Sequence, residues 1–461
     1  MTDYASYSYW LESSGEPLIP RPSLTHSETV DVAILGAGYT GLWTAYYLLR
    51  EQPSLKVALI EKEIAGFGAS GRNGGWCSSR FPVTPALLKE RFGADAARRV
   101  ALAMFASVDE IGRVCEVEEI DAHFHKGGIL SVARGAHQIP AVRNTYSSYK
   151  DLGLASHFQM LTAEEAKERV NATQIDGALY TPEGASIHPA RLARGLARAV
   201  EKHGGLIYER TEVTDFEGGA APKLITRAGE LSANRALVLA GEAYLTRLRK
   251  LHRALLPVYS LISLTEPLTA AQWSQIGWQN RESLASNKYT VDYLTRTADG
   301  RILFGSRGAP YVFASKITDE QDRHEETHKR IQQSLIQWFP PLEGIRFTHR
   351  WGGPVGMPRD WMPSVDFDER SRIAIAAGYT GQGVSTANLA GRLLSGLILN
   401  KPTELTSLPL AQRRSPNWEL EPLRWLTVRF VQRSLSQLDE ALEQGRPLPK
   451  TARLSEYLAK H

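Results

Sequence analysis

Cysteine is scarce: 461 residues include two, Cys77 and Cys115. Two thiols cannot build a disulfide framework or a cysteine-based structural zinc site. An excess of one charge is also missing. Lys+Arg number 54 against Asp+Glu 50, a formal net charge of +4, which is too slight for a nucleic-acid footprint. No run of about 18 apolar residues occurs, so no transmembrane helix is expected. Met1 to Trp10 lacks the charged-then-apolar order of a secretory signal. The 12 histidines show no His-Glu-x-x-His spacing, and no metal site is expected. With 43% hydrophobic and 23% charged residues, the composition is ordinary for a globular chain of two or three domains. The expectation is a soluble protein of a reducing compartment, the cytoplasm, with its oligomeric state open.

Regular structure begins at Val30–Leu35, a β-branched apolar run suited to a buried parallel strand. Gly36 to Gly41 follows, then helical spacing from Leu42 to Arg50, then a second strand at Lys56–Glu61. That is a βαβ unit. Strand-like runs recur at Ala236–Gly241 and Arg372–Gly378, with alternating, aromatic-rich stretches at Leu255–Leu264 and Tyr289–Phe304. Asp299-Gly300 suits a hairpin turn. The pattern predicts a nucleotide-binding domain from 29–110, 185–250 and 345–400, interrupted by a mostly antiparallel domain from 111–184 and 251–344. Residues 1–28 read as an extended arm, and 401–461 as a helical extension. Between Leu420 and Leu442, apolar residues fall in a stripe through Leu423, Leu426, Phe430, Val431, Leu435, Leu438 and Leu442, opposite Arg424, Arg429 and Arg433. Packing against the protein itself or a dimer mate is the expected use, with a membrane surface the minor alternative.

Gly36-Ala37-Gly38-Tyr39-Thr40-Gly41 fits Gly-x-Gly-x-x-Gly, and here it lies between a strand and a helix. The first glycine makes the turn, the second admits a pyrophosphate and the third lets helix and strand pack. The helix start at Tyr39 and Thr40 then faces the phosphate charge. Glu61 closes the next strand, where a carboxylate accepts both ribose hydroxyls; Lys62 adjoins it. A second loop, Gly66 to Gly75, holds five glycines and includes Gly68, Ala69, Ser70, Arg72, Asn73 and Gly74. Its amides can turn toward an anion. A nicotinamide enzyme has no need of it, which disfavours an NAD-dependent dehydrogenase.

With this loop the chain resembles the FAD-dependent D-amino-acid oxidase superfamily, in the branch of glycine, sarcosine and γ-glutamylputrescine oxidases and nearest the last. The resemblance spans roughly residues 28 to 400. It implies an α/β fold: a Rossmann-type, glutathione-reductase-like FAD-binding domain interrupted by an antiparallel-sheet substrate domain. Two further segments match. Val213, in Thr211-Glu212-Val213, would meet the adenine part of FAD. Gly378-Tyr379-Thr380-Gly381-Gln382-Gly383-Val384 would aim a helix start at the flavin pyrimidine ring, where a positive dipole end suits developing negative charge. Gly241, ending a strand, joins this cofactor set.

The resemblance implies amine oxidation: a hydride passes from the carbon bearing the amine to flavin N5, and water hydrolyses the imine. The amine must be neutral, which a desolvated pocket favours. No acid/base residue need act directly, so the catalytic residues stay unassigned. Departures from the family narrow the substrate. No lysine follows the Gly383 turn, which argues against a sarcosine-like or glycine-like substrate. No cysteine follows Cys115 and no histidine lies between Glu61 and Arg80, so FAD is expected to be non-covalent. Leu303 stands where relatives place an oxygen-activating lysine, a lean toward slow oxygen use; oxygen and an electron carrier both remain open as acceptor. Candidates for the substrate pocket are Tyr259, Tyr289, Tyr293 and Trp351 as walls and Arg307 or Arg359 as anion partners. Cys77 reads as a buried thiol and His188 as structural. The substrate class is a small-molecule amine of the γ-glutamylputrescine type. An aminophosphonate or another amino acid is the alternative, and a non-catalytic FAD-binding protein the alternative of another class.

Overall fold

The computed structural model describes residues 2–460. Glu28–Leu35 forms the central strand of the first sheet. It pairs in parallel with Val57–Ile60 on one side and Glu230–Leu239 on the other, and the parallel layer extends to Leu206–Tyr208 and Ile373–Ala377. Ser364–Asp368 adds an antiparallel edge. The central strands are buried on both faces, which explains the unbroken apolar runs Val32–Ile34, Val57–Ile60 and Ala236–Leu239. Helices Tyr39–Glu51, Pro189–Lys202 and Gly383–Ile398 pack together beside the sheet through buried apolar side chains. Pro189 stands in the first turn of its helix, and the His188 side chain accepts the Arg191 N–H as its cap. Burial pushes His188 down to about 3, so the ring is neutral and structural.

The second sheet has eight strands, in the order Phe347–Met357, Leu256–Thr265, Ile302–Arg307, Asp292–Arg296, Ser283–Ala285, Ile129–Arg134, Ile175–Thr181 and Gln159–Leu161. Its pairs are antiparallel except Ser283–Ala285 with Ile129–Arg134. Asp299-Gly300 lies in the turn between Asp292–Arg296 and Ile302–Arg307, with Gly300 at φ +78°. The nucleotide-domain boundary expected at 345 shifts. Phe347–Met357 belongs to the second sheet, paired with Leu256–Thr265 from Leu256↔Met357 to Thr265↔Phe347.

Two terminal segments differ from the pattern reading. The arm is not simply extended. Tyr4–Tyr7 and Tyr9–Glu12 form short helical turns, and Tyr4, Tyr9, Trp10 and Leu11 are buried. The cause is a docking site on the second glycine loop, where Trp10 Nε1–H donates to the Asn73 carbonyl at 2.8 Å and the Ser8 hydroxyl to that of Gly71 at 3.2 Å. The C-terminal helix exists, over Leu423–Glu443, but its expected stripe turns inward only in part: Leu438 is buried, whereas Leu423 and Leu426 are exposed and Arg424, Val428 and Asp439 are buried in addition. Arg424 is drawn in by Glu421, 3.0 Å away. Among the described residues no helix is long and apolar enough to cross a membrane.

The first helix can start where it does because Gly41 has no side chain: a Cβ there would lie 2.0 Å from the Gly36 carbonyl oxygen, a backbone atom. Gly41→Ala should therefore cost about 1–3 kcal/mol in urea unfolding, the range for forced overpacking. Gly383→Ala, whose Cβ would meet nothing closer than 3.5 Å, should change stability by less than about 1 kcal/mol. Equal effects would contradict the packing argument.

Candidate active site

One cavity of about 580 Å³ runs from the first sheet to the second. At its first-sheet end, Gly36 turns the chain at φ +100° and the helix beginning at Tyr39 points its N-terminus inward. The Tyr39 N–H donates to Ser70 Oγ at 2.8 Å, so the two glycine loops meet at this helix start. Glu61 accepts the N–H groups of Ala37 and Glu63, both at 3.0 Å. Burial raises its pKa, those amides oppose the rise, and neighbouring Glu209 and Glu63 add to it. Among the described residues no cation lies within 4 Å of Glu61. Thr211 to Val213 line the same end, and Lys62 sits there paired with Glu212 at 2.6 Å.

The second loop repeats the packing of the first. A Cβ on Gly71 would lie 2.2 Å from the Gly66 carbonyl oxygen, as one on Gly41 would from Gly36. Gly68, Ala69, Ser70, Asn73 and Gly74 line the cavity. Arg72 lines it too and ties the loop to the second half. Its guanidinium pairs with Asp322 at 3.0 Å and donates to the Tyr244 hydroxyl at 2.7 Å, and its carbonyl accepts Trp351 Nε1–H at 2.8 Å. Burial raises Asp322 to about 6, with Arg72 opposing.

A third approach comes from the turn before helix Gly383–Ile398. Gly378 and Gly381 have φ of +89° and +96°, and Gly381, Gln382, Gly383 and Val384 line the cavity. Glu242, which follows the predicted Gly241 and also lines it, anchors this turn. Its carboxylate accepts Gly378 N–H at 2.8 Å and Tyr379 N–H at 3.4 Å, from a backbone at φ +46°. Sequence reasoning missed it, because a lone acid after a strand carries no signal until the turn is seen folded onto it.

Facing these loops, the second sheet presents Ser260, Ile262, Tyr293 and Arg307. The Tyr293 ring sits in a slot between two glycines: a Cβ on Gly74 would be 2.3 Å from it and one on Gly305 2.0 Å. Its hydroxyl is 2.9 Å from Ser260 Oγ. Arg307 donates to the Thr380 carbonyl at 2.8 Å. Burial lowers its pKa, with Tyr293 opposing. Arg80, also missed, hydrogen-bonds Ser131 and lies 6.0 Å over the Trp76 ring, which itself meets Tyr293 edge-on at 6.1 Å. Burial lowers the Arg80 pKa as well. Among the described residues neither Arg80 nor Arg307 has a carboxylate within 4 Å.

Tyr293 and Arg307 thus face the cavity, whereas four other candidates do not. Tyr259 is buried in the core of the second sheet, its hydroxyl donating to the Thr318 carbonyl. Trp351 is held behind the loop by Arg72. Tyr289 lies in the loop before Asp292–Arg296, exposed, with its N–H on Asp439. Arg359 pairs with Glu419 and lies over Trp418. The alternation that suggested Tyr259 reports burial rather than which side faces the cavity, and Tyr289 falls just outside the strand that carries Tyr293. Gly41 and Gly75 also lie off the cavity, as packing positions. Cys77 is buried away from it, and burial pushes the thiol up to about 12.

Three inward-facing turns and an acid suited to ribose hydroxyls define a dinucleotide-binding oxidoreductase fold. The chain superposes on glycine oxidase from Geobacillus kaustophilus with a TM-score of 0.70 at 22% identity, covering 84% of this chain and 100% of that one. It matches L-proline dehydrogenase from P. horikoshii at 0.68 and 21%, covering 85% and 96%. In sequence it is 29% identical over 400 residues to gamma-glutamylputrescine oxidoreductase of Escherichia coli (strain K12), 86% of this chain and 90% of that protein. Residues 31–397 match the FAD dependent oxidoreductase (DAO) family, and the chain belongs to it. Its cofactor is FAD. The buried Glu61 carboxylate, free of cations and with acceptor capacity left, fits the ribose of that group.

Burial lifts Glu242 to about 7, opposed by the amides it holds. Because the folded pKa exceeds the unfolded one, this acid binds its proton more tightly in the native state, and its contribution to stability falls as pH rises from about 4.5 to 7. Glu242→Gln removes that slope. The variant's stability relative to the parent should therefore rise across this window in urea titrations, and a flat difference would contradict the assignment.

Proposed function

We propose that the chain oxidises an amine that carries an acidic group and is larger than glycine, of the γ-glutamylputrescine type, with FAD held non-covalently. Arg307 carries this reading: a guanidinium facing the cavity beside the Gly378–Gly383 turn, with no carboxylate partner in the described protein. A desolvated cation without an anion is costly, and a substrate carboxylate or phosphonate completes it. Arg80, equally without an acid, extends the same preference along the wall.

FAD, when bound, accepts a hydride from the carbon bearing the amine, and water hydrolyses the resulting imine. Gly36, Gly38, Tyr39, Thr40, Glu61 and Val213 would hold its adenosine and phosphate end, and Gly381 to Val384 the far end. Among the described residues no histidine or cysteine lines the cavity, which supports non-covalent attachment. The chain's own contribution is to bind, orient and keep dry. Arg307 fixes the acidic group, while Tyr293, Ile262 and Trp76 exclude water, so the neutral amine is favoured over the ammonium.

The test is anaerobic mixing of FAD-loaded protein with γ-glutamylputrescine, other polyamines, aminophosphonates, D-amino acids and N-methylglycine, following loss of the oxidised-flavin band. γ-Glutamylputrescine and acidic amines of similar size should bleach it, whereas polyamines without an acidic group, and N-methylglycine, which is too small to span the cavity, should not. Bleaching by none would remove the substrate class. The cavity-facing side of Ile302–Arg307 carries Leu303, Gly305 and Arg307 and no lysine, so recolouring in air should be slow compared with an added electron carrier. Arg307→Ala should weaken binding of an acidic amine on the order of a hundredfold, as expected for a lost buried charge pair. An unchanged Kd would exclude Arg307 as the anchor.

A further inference from the structure

The helix Leu423–Glu443 lies beyond the residues matched by the family, yet it holds two loops at the substrate end of the cavity, one that lines it and one that leads away from Arg307. Asp439, 8% exposed, accepts three hydrogen bonds from one loop: from Tyr289 N–H at 3.0 Å, Thr290 N–H at 2.8 Å and the Thr290 hydroxyl at 2.6 Å. One turn further, Glu443 pairs with Lys288. That loop supplies Ser286, Asn287, Lys288 and Val291 to the cavity wall. The other loop leaves Arg307 directly. Just ahead of the helix, Glu421 accepts from the Tyr311 hydroxyl at 2.8 Å and from Ala314 N–H at 3.0 Å, and Gln432 Oε1 accepts Tyr311 N–H at 3.1 Å. Both loops spring from the same end of one hairpin, where Asp292 pairs with Ser306.

We propose that this helix is a positioning clamp for the substrate end, with Asp439 its key residue: by fixing residues 288–290 it sets the wall beside Arg307 and so the affinity for the amine. The inference deepens the proposed function and rests on it. Asp439 touches neither substrate nor cofactor. It acts through the loop, because a carboxylate that accepts two successive amides and a hydroxyl defines the loop backbone at three points. A helix added only for stability need not have placed its buried acid on a loop of the cavity wall. Polar bonds at both loops hold the hairpin end from two sides, so the geometry of Arg307 and of the 286–291 wall is set together.

The decisive comparison is of Asp439→Ala, Asp439→Asn and the parent, all FAD-loaded. Asp439→Ala should raise the amine Kd about tenfold or more in anaerobic titration, with flavin content and the limiting rate of bleaching changed less than about twofold, a loss confined to binding. Asp439→Asn, which keeps one acceptor oxygen, should recover part of that affinity. Amide exchange at residues 286–291 should speed up in Asp439→Ala. Unchanged Kd and unchanged exchange would overturn the clamp, as would loss of flavin with no effect on Kd. Should Asp439→Ala fail to fold, Thr290→Val removes the hydroxyl bond and must shift Kd in the same direction. Should no amine bleach the parent, the proposed function fails instead, and faster loop exchange together with altered flavin spectra on adding a carboxylate still decides the clamp.

Discussion

Close approach of one backbone to another is the constraint on which the site depends. The Gly36 carbonyl meets Gly41 where a Cβ would be 2.0 Å away, and the Gly66 carbonyl meets Gly71 where it would be 2.2 Å away. No side chain is tolerated at either contact. Each contact lets a short turn deliver the start of a helix to the cavity, and Ser70 then links the two starts through Tyr39 N–H. A helix N-terminus brings unpaired amides and a partial positive charge. Two of them on one cavity, with the start at Gly383 opposite, make a surround suited to a dinucleotide and to negative charge.

The second constraint is the joint between the sheets. Arg72 spans it, with Asp322 and Tyr244 on its guanidinium and Trp351 on its carbonyl. A buried ion pair of this kind adds little net stability, since desolvation offsets attraction, but breaking it strands a charge. Its value here is position: it fixes the glycine loop against the second sheet, and Tyr293 then fills the slot between Gly74 and Gly305. The N-terminal arm braces the same loop from behind through Trp10 and Ser8. The cavity is therefore shaped by segments from the start, middle and end of the chain.

Legibility in the sequence followed the range of the forces. The βαβ unit, Glu61, the second glycine loop and the Gly378 turn were readable because each rests on local backbone geometry. The arm was misread as extended because its helical turns are held by a loop about 60 residues away. The C-terminal helix was readable as a helix but only partly in its face, since Glu421 and the 288–290 loop, besides apolar packing, draw Arg424 and Asp439 inward. In the second sheet, the alternating stretch Leu255–Leu264 marked Tyr259 as half-buried without saying on which side the cavity lay. Arg307 and Tyr293 share the cavity-facing side of neighbouring strands, and only the register Tyr293↔Gly305 reveals it.

The account's central claim is that one cavity joins an FAD end to an anion-binding end at Arg307. It is tested most directly by titrating the FAD-loaded protein with a carboxylate that cannot be oxidised and following the flavin spectrum. The account predicts a saturable spectral change that survives in Tyr259→Phe and is lost in Arg307→Ala. A spectrum insensitive to the carboxylate in the parent, or equally sensitive in Arg307→Ala, would contradict it.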